Sequence, residues 1–67
     1  MTIGDRIKQA REARGWTQER LAKKVGVTRQ RVQLIEMSGG PRLSFEVVKQ
    51  YARALDMTLA ELGGLDD

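Results

Sequence analysis

Four times in this chain an apolar residue stands directly before a hydroxyl residue, with a second apolar residue four positions after the hydroxyl: Trp16-Thr17 with Leu21, Val27-Thr28 with Val32, Leu43-Ser44 with Val48, and Met57-Thr58 with Leu62. Each is the signature of a helix start. The hydroxyl caps free backbone N–H groups, and the flanking apolar pair staples the entering chain to the first turn. Thr58 followed by Glu61 adds a capping box, and Thr2 with Asp5 marks a weaker start. Stops are as legible: Gly15 and Gly26 suit helix C-termini, Gly39-Gly40-Pro41 cannot continue a helix, and Asp56 closes the fourth run. The spacing predicts helices over about 3–14, 17–25, 28–37, 44–55 and 58–63. Helices this short are marginal alone and persist only by packing. The expected fold is all-α, a compact five-helix domain spanning 1–67 with 63–67 as a short tail.

With 67 residues the margin is thin, since a domain of this size buries only about 60% of the surface of its unfolded chain. Cys and His are both absent, so disulfides, thiol chemistry, zinc clusters and imidazole catalysis are excluded together. The predicted core is Ile3, Ile7, Ala10, Trp16, Leu21, Ala22, Val25, Val32, Ile35, Phe45, Val48, Tyr51, Ala52, Leu55 and Leu59. Glu12, Glu19, Glu36 and Glu46 form no recognisable acid/base pair, and no Gly-rich phosphate loop is present. The expectation is a binding protein without cofactors, not an enzyme.

Charge narrows the partner. Residues 1–31 carry nine Lys/Arg against three Asp/Glu, while residues 32–67 carry three against six, so one part is net +6 and the other net −3. Such asymmetry favours a polyanion. No apolar run has the length of a signal peptide or membrane span, so the expected location is the cytoplasm.

The stretch "VGVTRQRVQLIE", residues 25–36, is where these signals converge. A glycine-bearing turn of three or four residues joins the second and third predicted helices, the pattern of a helix-turn-helix. Ala22 is small where the helices would approach, and Gly26 frees the turn for a left-handed conformation. At 100° per residue, Val32 and Ile35 point inward, whereas Gln30, Gln33, Leu34 and Met37 point outward. Arg29 and Arg31 flank the core stripe at the tip. The helix dipole favours carboxylates in a first turn, yet this turn carries two cations. A cationic tip bearing Gln30 suits the major groove of double-stranded DNA, where arginine bonds guanine and glutamine bonds adenine. Thr28 and the start of the second helix, Thr17 included, would face phosphates, with Lys23 placed there as well.

Over residues 3–62 the chain resembles the phage repressor and Cro-like helix-turn-helix domain, also called the xenobiotic-response-element family. The resemblance rests on "RIKQAREARGWTQERLAKKVGVTRQRVQLIE" and "LSFEVVKQYARALDMTLAEL". It implies a lambda-repressor-like fold, a third helix in the major groove, and a homodimer on a near-palindromic operator. Position by position, it implies that Gln18 bonds a phosphate, that Arg29, Gln30 and Leu34 face base edges with Arg31 and Gln33 nearby, and that Arg42 touches the backbone close to the minor groove. It also implies a partly buried ion pair between Arg11 and Glu36. The chain departs from the family at Arg31, often a small hydroxyl residue, and at Leu34, often a polar reader.

Met57, Leu59, Leu62 and Leu65 cluster on or beside a helix barely two turns long. Either the set caps the core of its own chain, or part of it lines a two-fold dimer interface, as the family implies. The leading expectation is a small prokaryotic or phage transcription regulator acting as a repressor. Its rivals are an antitoxin that also binds a toxin protein, and a helix-turn-helix module that bridges proteins.

Overall fold

The computed structural model describes residues 1–40 and 43–63. Its helices are α1 (Ile3–Ala13), α2 (Gln18–Val25), α3 (Arg29–Ser38), α4 (Phe45–Ala54) and α5 (Leu59–Gly63), with no strand among the described residues. The hydroxyl residues sit one position outside the helices that they start. Thr17 Oγ1 accepts from Arg20 N–H at 3.1 Å, Thr28 Oγ1 from Arg31 N–H at 3.2 Å, and Ser44 Oγ from Val47 N–H at 3.2 Å. Thr58 and Glu61 close a reciprocal box at 3.0 and 2.8 Å. Thr2 and Asp5 close another, with both bonds at 3.1 Å, so this start is fuller than the sequence indicated. Its hydrogen bonds from Thr2, backbone first and hydroxyl second, hold the Asp5 carboxyl below its ordinary range.

The core gathers Ile7, Leu21, Val32, Ile35, Tyr51, Leu55 and Leu62, with the small residues Ala10, Ala22 and Ala52 where helices approach. Ile3, Trp16, Val25 and Val48 pack against it while keeping part of their surface in solvent. Three expectations need correction. Phe45 is 60% exposed: it occupies the first position of α4, where Leu43, Val47 and Val48 fill the inward places. Its ring lies 5.7 Å from the Lys49 ammonium instead. Leu59 is only half-buried. Leu62, one turn further along α5, is fully buried and takes the core place, which rules its side chain out of a dimer interface.

Tyr51 is the core's one polar irregularity among the described residues. The side chain is fully buried and its hydroxyl has no hydrogen-bond partner. Burial raises its pKa above the ordinary phenol value, the nearby charges of Arg31 and Glu36 opposing each other. An unpartnered buried hydroxyl costs stability that a phenyl ring would not. Tyr51→Phe is therefore expected to raise stability by about 1 kcal/mol at neutral pH. The sign at alkaline pH follows from linkage: above about pH 10 the unfolded tyrosine ionises first, so the native protein loses stability as pH rises. The phenylalanine variant should lack that loss. Urea melts of both proteins at pH 7 and pH 11 check this, and a less stable variant at pH 7 would show that the hydroxyl is satisfied.

Candidate nucleic-acid interface

The junction of α2 and α3 turns on Gly26, whose φ of 91° is left-handed. That conformation is costly for residues with a Cβ. It lets both Gly26 and Val27 donate to the Ala22 carbonyl, at 2.8 and 3.0 Å, closing the end of α2. Three residues after Gly26, α3 begins. Packing between these two helices is the most extensive in the fold, with Ala22, Leu21 and Val32 buried between them and the core.

This arrangement fixes which side of α3 meets solvent. Val32, Ile35 and Glu36 are buried, while Arg29, Gln30, Arg31, Gln33, Leu34 and Met37 are exposed. The first turn holds no acidic residue. Among the described residues no carboxylate comes within salt-bridge reach of Arg29 or Arg31; the ion pairs are those of Arg11 with Glu12 and Glu36, and of Lys49 with Glu46. Among the described residues, two guanidinium groups without a carboxylate partner thus stand at the positive end of a helix dipole. With the Thr28 hydroxyl oxygen accepting from Arg31 N–H, its hydrogen is left to donate outward.

The start of α2, where Thr17 is exposed and Gln18 half-buried, meets α3 at Glu36. Thr17 and Lys23 line one shallow hollow together with Gly15, Glu19 and Arg20. Gln18 Nε2 donates to Glu36 Oε1 at 3.2 Å, which links the two helices and leaves a second amide hydrogen for another acceptor. No spacing of residue types announces that bond. Behind it, Arg11 Nε and Nη2 donate to the two oxygens of Glu36 at 2.8 and 3.0 Å, and Arg11 Nη1 donates to the Trp16 carbonyl at 2.8 Å. The hydrogen bond to Glu36 raises the Arg11 pKa against the opposing effect of burial. One carboxylate therefore ties α1, α2 and α3 together.

A second cationic feature also escaped the sequence reading. The Trp16 ring has Lys24 Nζ at 4.9 Å, Arg20 Cζ at 5.6 Å and Arg14 Cζ at 5.9 Å from its centroid. Its signal was the spacing of Trp16, Arg20 and Lys24 by four residues, one stripe of a helix. Arg42 and Leu65, assigned from the family resemblance to a backbone contact and to the dimer interface, lie outside the described residues. Of the other interface candidates, Met57 packs partly against the core and Leu59 is half-buried.

A helix-turn-helix family model matches residues 7–62, from the first buried isoleucine of α1 to the buried leucine of α5. The chain belongs to the Cro/C1-type helix-turn-helix family. Its five helices fit the lambda-repressor-like fold, in which α2 and α3 are the helix-turn-helix pair. No curated protein and no solved structure matches it. Membership makes the chain a DNA-binding regulatory domain, in a family that is not generally enzymatic. Among the described residues no helix is long and apolar enough to cross a membrane, and no acidic cluster could hold a metal ion.

Proposed function

We propose that the chain is a sequence-specific repressor that binds a near-palindromic operator as a homodimer, one α3 entering the major groove in each half-site. The observation that carries this reading is the tip of α3: two exposed arginines, without a carboxylate partner among the described residues, and a glutamine on a first turn that holds no acidic residue. Arg29 and Gln30 are assigned to base edges, with Leu34 next along the helix and Arg31 and Gln33 beside them. Thr28, Thr17, Gln18, Lys23 and Arg42 take phosphates, which position the helix without carrying sequence information. The two-fold partner follows from the family reading, with Met57 and Leu59 of α5, together with Leu65, as its contact residues and Leu62 withdrawn into the core.

The test begins with random duplex DNA in dilute buffer. A protein that neutralises several phosphates binds there and weakens steeply as salt rises, whereas a protein-bridging module binds little. Selection from a random duplex library then reads specificity: an inverted repeat supports two-fold binding, and a sequence without symmetry contradicts the dimer. Alanine at Arg29 or Gln30 should cost on the order of 1–3 kcal/mol at the selected operator while sparing nonspecific affinity. Equal losses on both DNAs, measured by fluorescence anisotropy, would remove these residues from base readout.

A further inference from the structure

Along α3 the exposed face changes chemistry. Arg29 and Gln30 at the tip offer hydrogen bonds, but Leu34, one turn beyond Gln30, is 57% exposed and offers none. Met37 follows at 77% exposure. Exposed single apolar residues are ordinary on protein surfaces. Leu34, however, shares its face with Gln30 and lies about 60° round the helix from Arg31, whose charge selects the occupant: that face is turned toward a polyanion. The major-groove edges of the bases present one apolar group, the C5-methyl of thymine. Gln30 and Leu34 are separated by about 6 Å along the helix axis, close to two base-pair rises of about 3.4 Å.

We propose that Leu34 reads a 5-methyl group on a pyrimidine about two steps along the groove from the base met by Gln30. This rests on α3 entering the groove as described above. Leu34 has neither donor nor acceptor, so it does not distinguish the O4 of thymine from the N4 amine of cytosine. It responds to the methyl, whichever pyrimidine bears it. At that step the ligand class is a 5-methylpyrimidine, and binding is sensitive to cytosine-5 methylation as well as to thymine.

The test compares two matched pairs of duplexes built on the selected operator. At each pyrimidine position in turn, thymine is exchanged for uracil, and 5-methylcytosine for cytosine. At one step per half-site the methylated member of both pairs should bind about fourfold more tightly, the equivalent of one buried methyl. Leu34→Ala should level both pairs, and Leu34→Met should keep the preference. Equal affinities within the pairs at every step overturn the proposal, as does discrimination that survives Leu34→Ala. A thymine–uracil difference without a matching cytosine difference overturns the base-independent readout. If Leu34→Asn alters self-association in the absence of DNA and leaves methyl discrimination intact, the face belongs to a second copy of the chain. Salt-sensitive duplex binding without methyl discrimination sinks this proposal alone; no binding to any duplex in dilute buffer sinks the function on which it rests.

Discussion

Methionine at Arg11 is expected to lower folding stability by about 3–5 kcal/mol, enough to unfold much of the population of a domain this small. The Glu36 side chain keeps only 3% of its surface accessible. Its two oxygens accept from Arg11 at 2.8 and 3.0 Å, and Gln18 adds one neutral donor at 3.2 Å. With Arg11 gone, a buried carboxylate keeps that single amide contact, and Trp16 loses the donor to its carbonyl. The pair as a whole is weak evidence for stability, because removing two charges from water offsets most of their attraction. The double variant Arg11→Met with Glu36→Met should accordingly recover most of what the single variant loses. Urea unfolding followed by far-ultraviolet circular dichroism measures both, with an unchanged m-value showing that the transitions remain comparable. A single variant within about 1 kcal/mol of the native protein would mean that the carboxylate finds relief elsewhere. A double variant no better than the single would mean that the pair contributes more than its desolvation costs.

This pair also marks the boundary of what the chain discloses by itself. Helix starts were legible because capping is local: Thr17, Thr28, Ser44 and Thr58 each need only the next three residues to act. The outward assignment of Gln30, Gln33, Leu34 and Met37 was legible for a similar reason, since one inward stripe, Val32 and Ile35, fixes the rest of a helix. The Arg11–Glu36 contact came from the family resemblance, because nothing in residues 25 positions apart announces a contact. What failed was discrimination among apolar residues near helix ends. Phe45 matches the periodicity of α4, yet the core begins one turn further on. Leu59 and Leu62 lie three positions apart on α5, and periodicity alone could not say which of them enters the core. The unpartnered Tyr51 hydroxyl and the Gln18 contact depend on tertiary distances of a few tenths of an ångström, which no pattern of residue types encodes.

Alanine at Gly4 should destabilise the protein by about 1–3 kcal/mol, although helix propensity predicts the opposite sign. Gly4 lies in the first turn of α1, and an interior glycine gives up about 1 kcal/mol relative to alanine. Here the backbone leaves no space for the change. A Cβ at Gly4 would overlap the Ile35 carbonyl oxygen and sit 2.9 Å from Gly39 Cα, both main-chain atoms that cannot rotate away. The Gly4 N–H also donates to the Gly39 carbonyl at 3.1 Å, so the start of α1 is docked on the end of α3. Relieving the overlap requires α1 to back off, with an overpacking cost of about 1–3 kcal/mol and about 1 kcal/mol for the lost bond. Together these exceed the gain in propensity. Gly26→Ala supplies the control: its Cβ would meet nothing within 4 Å, so its expected loss of about 1–2 kcal/mol is purely conformational. In thermal melts each kcal/mol corresponds to roughly 4–8 °C for a domain of this length, which puts the Gly4 variant about 4–24 °C below the native protein. A Gly4→Ala protein that melts at or above the native temperature would show that α1 and α3 do not approach so closely. The tie between α1 and α3 would then rest chiefly on the Arg11–Glu36 pair.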